Sequence, residues 1–189
     1  MLVADRRKLL NGNSFRLGVS GSGKSFSAKE EIVDLALSTE DDILILDPES
    51  EFGSLVEALN GEVITISATS STHLNALDMD SAYGNDKNPL IEKSEFILSL
   101  FEQLVGAGNL SAKEKSILDR CTADVYREYI RSGYQSEAPT LKDLYRQLML
   151  QPEEEARGLA LSSELFINGS LNTFAQKTKC GYEEPYHCL

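Results

Sequence analysis

The sequence predicts an α/β fold, a doubly wound parallel sheet with helices on both faces, carrying an all-helical insertion. Three observations lead there. Residues Gly18 to Phe26 read G-V-S-G-S-G-K-S-F and fit G-x-x-x-x-G-K-[ST] at every fixed position, the pattern of a loop that cradles phosphates between a strand and a helix. The first 67 residues alternate short apolar runs with helical spacing, in the order strand, helix, strand, helix, strand. From about residue 90 to 168 the chain then switches to helical periodicity alone.

The loop carries the chemistry. Backbone N–H groups must turn inward around a polyphosphate, and side chains larger than hydrogen would block that approach, so Gly18, Gly21 and Gly23 give the room. Ser20 and Ser22 lie between them, Lys24 is placed to reach the β- and γ-phosphates, and the Ser25 hydroxyl to ligate Mg²⁺. Phe26 completes the stretch as the following helix opens, and that helix offers unpaired N–H groups and a positive dipole end. Gly18, Ser20, Gly21, Ser22, Gly23, Lys24, Ser25 and Phe26 are therefore the candidate nucleotide-binding residues.

Each element follows from local pattern. Asn11-Gly12-Asn13 is a turn that leads into the apolar residues Phe15 to Leu17, read as the first strand. Ala28 to Leu37 lacks Gly and Pro and spaces Ile32, Leu35 and Ala36 to bury one helix face. Ile43-Leu44-Ile45-Leu46 is a continuous apolar run, as expected of a parallel strand covered on both faces. It ends in Asp47-Pro48-Glu49-Ser50-Glu51-Phe52, which admits two readings: Asp47 reaching Mg²⁺ through water with Glu49 or Glu51 polarising an attacking water, or an Asp-Pro turn with solvated glutamates. Lys24, Asp47 and Glu51 are the candidate catalytic residues. Leu55, Val56 and Leu59 suggest a short helix stopped by Asn60-Gly61, and Glu62 to Ile66 a third strand.

Ser67 to Asn88 is polar and without period, and reads as a long surface loop. Helices follow at Ile91 to Val105, from a capping box at Ser111 and Glu114 to about Arg131, from a second box at Thr140 and Asp143, and from Pro152 to near Asn168-Gly169. Cys121 falls on an apolar helix face as a small hydrophobe. Residues 1–89 are thus expected to form the phosphate-loop core, 90–168 the helical insertion, and 169–189 a return segment and tail.

Composition sets the limits. The chain has 189 residues, 41% hydrophobic and 25% charged, enough for a core. No apolar run approaches the roughly eighteen residues of a membrane span, and no signal peptide is expected. A net charge of −12 argues against direct, sequence-blind nucleic-acid binding. Three cysteines make no disulfide framework, which points to a reducing cytosol, and Cys180, His187 and Cys188 match no zinc spacing.

Taken together, Gly18 to Phe26 continuing as Ser27-Ala28-Lys29-Glu30-Glu31, the Asp47 to Phe52 segment, Leu74-Asn75, Pro139-Thr140-Leu141 and Gly169-Ser170-Leu171 resemble the ATPases of conjugative transfer and type IV secretion, the VirB-four/TraC class, especially those of conjugative transposons of Gram-positive bacteria. The resemblance implies a RecA-like nucleotide domain that takes ATP and Mg²⁺. It also implies self-association or pairing with full-length transfer ATPase and other secretion-system subunits, in the cytoplasm or at the inner face of the membrane through those partners. It places Asp47 and Glu51 in the family's second-strand motif. Where the family continues into Thr-Asn-Val-Asp and a later acidic strand, this chain reads Lys179-Cys180-Gly181-Tyr182, so impaired hydrolysis is expected. Two other functions compete. One is a small phosphotransferase whose helical lid uses Arg120, Arg127, Arg131 and Arg146, and the other is a non-catalytic module pairing with full-length subunits.

Overall fold

A computed structural model describes residues 12–67, 69–70, 72–83 and 88–179. The chain divides into two compact units, Met1–Val63 and Ile64–Leu189.

In the first unit, Lys24–Ser38 forms α1 and Gly53–Ala58 forms α2. Helix α1 starts abruptly because Gly23 adopts a left-handed φ of 82°, a conformation that costs glycine nothing. It ends where the Ser38 and Thr39 hydroxyls donate back to the carbonyls of Asp34 (2.5 Å) and Leu35 (2.9 Å), offering the backbone an alternative to another turn. Helix α2 stops at Asn60, with φ 59°, and Gly61, whose N–H donates to Val56 O at 2.8 Å. A Cβ on Gly61 would lie 2.8 Å from Val56 Cγ1, so the Asn-Gly stop works as expected.

The expected parallel sheet is not formed among the described residues. Phe15–Leu17, Ile43–Leu46 and Glu62–Ile66 belong to no ladder, and Phe15, Leu17, Leu44 and Leu46 are each more than 90% exposed. The physical reason lies in what surrounds them. A buried parallel strand needs a neighbour on its edges and a cover on both faces, yet neither α1 nor α2 buries a single residue.

In the second unit four helices, α3 (Pro89–Val105), α4 (Ala112–Arg131), α5 (Leu141–Met149) and α6 (Glu154–Ile167), pack against one another. Pro89 occupies the first turn of α3, where its missing N–H is harmless. The capping box of α4 is formed: Glu114 N–H donates to Ser111 Oγ (3.3 Å) and Ser111 N–H to Glu114 Oε2 (2.8 Å). At α5 the Asp143 carboxylate accepts from both Thr140 N–H (2.9 Å) and Thr140 Oγ1 (2.8 Å). The apolar stripes meet in one core that includes Ile97, Phe101, Leu118, Cys121, Tyr126, Leu144, Leu148 and Ile167, all fully buried.

One expectation is overturned here. The polar stretch after Ser67 is not a surface loop throughout, because Leu77 and Met79 sit in the core at 0% and 5% exposure. Irregular backbone can be buried only if its polar groups find partners. Lys93 Nζ donates to Ala76 O (3.1 Å), Tyr126 OH to Leu77 O (2.6 Å) and Tyr129 OH to Met79 O (2.8 Å).

Candidate functional site

The loop before α1 has the shape its sequence calls for. Ser22 N–H donates to Val19 O at 3.2 Å, closing a turn, and Gly21 joins Gly23 in the left-handed region with φ 77°. At Gly18 the constraint is local crowding: a Cβ there would come within 2.4 Å of Ser22 Oγ, which would have to turn away. Residues 18–23 are exposed, as are Ser25 and Phe26, while Lys24 is half-buried.

Helix α1 carries no side-chain cap and no acidic residue in its first turn. Its N-terminal amides and positive dipole end therefore face no carboxylate of the helix's own first turn, the condition under which such a terminus receives an anion. Lys24 Nζ donates to Gly18 O (2.8 Å) and Val19 O (3.0 Å), so the ammonium lies against the loop that would hold the phosphates. These residues fit a triphosphate: a small-residue backbone, a helix terminus with no side-chain cap and one cation beside the loop. For magnesium the loop pattern offers the Ser25 hydroxyl. One hydroxyl would suit Mg²⁺, which keeps several waters and takes its remaining oxygens from substrate phosphates.

Asp47 lies in the same unit, in a turn. Its Oδ2 accepts from Phe52 N–H at 2.8 Å, and that bond first, with those from the Glu51, Glu49 and Ser50 amides, holds the carboxyl below its ordinary range despite some desolvation. The carboxylate thus closes the segment that starts α2. Glu49 and Glu51 are exposed. Sequence reasoning missed one link: Lys29 Nζ stands 5.3 Å from the Phe52 ring centroid, tying α1 to this turn by a cation–π contact. Arg16 pairs with Glu31 of α1 as well.

The four arginines considered for a lid each stand beside a carboxylate at the surface of the helical unit. Arg120 pairs with Glu153 (2.8 Å), Arg131 with Glu128 (2.6 Å), Arg146 with Asp143 (2.9 Å), and Arg127 with Asp124. Cys180, His187 and Cys188 lie outside the described residues.

Comparison with known proteins adds the family context. The model of the DUF87 family, helicase HerA central domain, matches residues 17–184. Among solved structures, VirB4 of Thermoanaerobacter pseudethanolicus is similar with a TM-score of 0.68 and 23% identity, over 92% of this chain and 47% of that one. The chain thus spans about half the length of that protein, and at this identity the likeness is one of fold alone. No curated protein matches.

Proposed function

We propose that this chain, which belongs to the family of the helicase HerA central domain, is the ATP-binding module of a conjugative-transfer or type IV secretion motor. Gly18, Ser20, Gly21, Ser22, Gly23, Lys24, Ser25 and Phe26 hold the nucleotide, and Ser25 is the protein's ligand to Mg²⁺. The observation that carries this reading is the uncapped start of α1 directly after two left-handed glycines, with Lys24 resting on the loop. On binding, Lys24 Nζ exchanges the Gly18 and Val19 carbonyls for phosphate oxygens. When magnesium is bound it neutralises the developing charge on the phosphates. The nucleotide core lies within residues 1–63, the helical insertion within 64–168 and the return segment in 169–189. The module acts in the cytoplasm, at the membrane's inner face where secretion-system partners hold it, and does not itself grip nucleic acid.

Hydrolysis by this chain alone is slow in this reading. Asp47 is occupied with the Phe52 amide and Glu51 stands in solvent, so neither is fixed where a water must be polarised. Calorimetric titration of ATP with Mg²⁺ tests the site: the wild-type chain is expected to bind, and Lys24→Ala to bind at least tenfold more weakly. Equal affinities in the two proteins would overturn the assignment.

A second reading, a module that pairs with full-length ATPase subunits, is favoured by the bare apolar run Ile43 to Leu46, with Leu44 at 91% and Leu46 at 95% exposure. Size-exclusion chromatography with and without ATP and Mg²⁺ separates the two. A motor module changes its association state when nucleotide is added, whereas a passive partner elutes at the same volume.

A further inference from the structure

The helical block is entered and left by two chains lying side by side. His73 N–H donates to Lys179 O (3.3 Å) and Lys179 N–H returns a bond to His73 O (2.9 Å), an isolated antiparallel bridge. Ala76 N–H reaches Phe174 O at 3.2 Å. No ladder continues from there among the described residues, and side chains take over. Asn75 N–H donates to Thr178 Oγ1 (2.9 Å). The Asp78 carboxylate accepts from Asn75 Nδ2 at 2.7 Å and, through its other oxygen, from the Thr178 hydroxyl. One carboxylate therefore joins the two chains across a separation of 100 residues.

The two chains are anchored unequally. The entering chain buries Leu77 and Met79, and receives Lys93, Tyr126 and Tyr129 on the carbonyls of Ala76, Leu77 and Met79. Asn75 Nδ2 also donates to Pro139 O at 2.9 Å. The leaving chain has far less: its buried residues are Thr173 and Ala175, and Phe174 is 43% exposed. Its side-chain ties outside the latch are polar: Lys142 to Gln176 (3.1 Å) and Thr173 Oγ1 to Ser67 O (3.2 Å), both part-buried, and the exposed Lys177–Glu137 pair (2.6 Å), the last a contact of small worth.

We propose that residues 173–179 form a strap that opens as a unit from the helical block, latched by Asp78 on Thr178, while residues 73–79 stay in place. The reason is the balance of forces. A segment held by a few polar bonds and almost no apolar burial opens below the global unfolding transition, and removing a bond to a charged acceptor shifts such an equilibrium by about tenfold or more. The strap is closed here. The inference does not depend on the nucleotide reading.

Hydrogen exchange measured residue by residue on the full chain tests it. In Thr178→Val the amides of Lys179 and Ala76 are expected to exchange on the order of tenfold faster, with Leu118 and Tyr126 of α4 unchanged. Thr178→Ser keeps the hydroxyl and is expected to match the wild type. If α4 amides accelerate by the same factor, if Lys179 and Ala76 keep their protection, or if Thr178→Val fails to fold, the strap is not an independent element and the proposal is overturned.

Discussion

Replacing Tyr126 by alanine is expected to remove about 4 kcal/mol from the stability of the helical block, a large part of the roughly 5–15 kcal/mol that a domain of this kind possesses. The ring is fully buried and packs against Tyr129 at 6.4 Å, which in turn meets Tyr134 edge-on at 5.4 Å. Its hydroxyl also satisfies the Leu77 carbonyl at 2.6 Å. Tyr126→Phe keeps the ring and leaves that carbonyl unpaired, at a cost of about 1–3 kcal/mol. Urea denaturation of both variants, followed by helical circular dichroism, separates packing from hydrogen bonding. A phenylalanine variant as stable as the wild type would mean that Leu77 finds another donor and that the tyrosine does not anchor the entering chain.

Lys93 should give the block an unusual pH dependence. Its residue is 3% exposed, its ammonium stands 4.2 Å from the Tyr83 ring and 4.8 Å from that of Phe96, and it donates to Ala76 O. Burial pushes its pKa down to about 8, from an ordinary 10.5, with Asp78 partly opposing. Between these values the unfolded chain holds a proton that the folded chain has released, so stability rises with pH, by up to about 1.4 kcal/mol per unit. Two buried groups run the other way. The Cys121 thiol is pushed from 9.0 up to about 11 by desolvation, and burial also raises the Tyr126 phenol above its ordinary 10.0. Each keeps in the folded state a proton that the unfolded chain gives up, so stability is lost above their ordinary values. The rise due to Lys93 is therefore expected between pH 8 and about 9. Denaturation midpoints in reducing buffer at intervals across this range should climb for the wild type and stay flat for Lys93→Met. Parallel profiles in the two proteins would contradict the assignment.

The helices were legible because their determinants are local. Ser111 with Glu114 and Thr140 with Asp143 announce α4 and α5 within four residues, and the observed spans, Ala112–Arg131 and Leu141–Met149, begin where those boxes place them. The Gly-Lys-Ser loop is equally local, and the resemblance to the VirB-four/TraC class built on it agrees with the match to residues 17–184 and with the VirB4 fold. The strands were not legible in the same sense. Ile43 to Leu46 has the composition of a buried strand, but pairing depends on neighbours that no local pattern specifies. Lys93 was hidden for the opposite reason, since a lysine on an amphipathic helix ordinarily stays in water. The contact between Asp78 and Thr178 joins positions too far apart in sequence for any spacing rule, although Leu74-Asn75 had already stood out as a family marker beside it.

The bare run Ile43 to Leu46 also bears on how this protein behaves at high concentration. A run of four branched aliphatic residues, with Leu44 and Leu46 open to solvent, is the kind of segment that stacks into intermolecular β-structure. Here Glu40, Asp41 and Asp42 precede them, and Asp47 and Pro48 follow. Like charges repel a second copy brought into register, and the proline has no amide to lend to a growing stack. The flanks thus act as gatekeepers against stacking of this stretch on copies of itself.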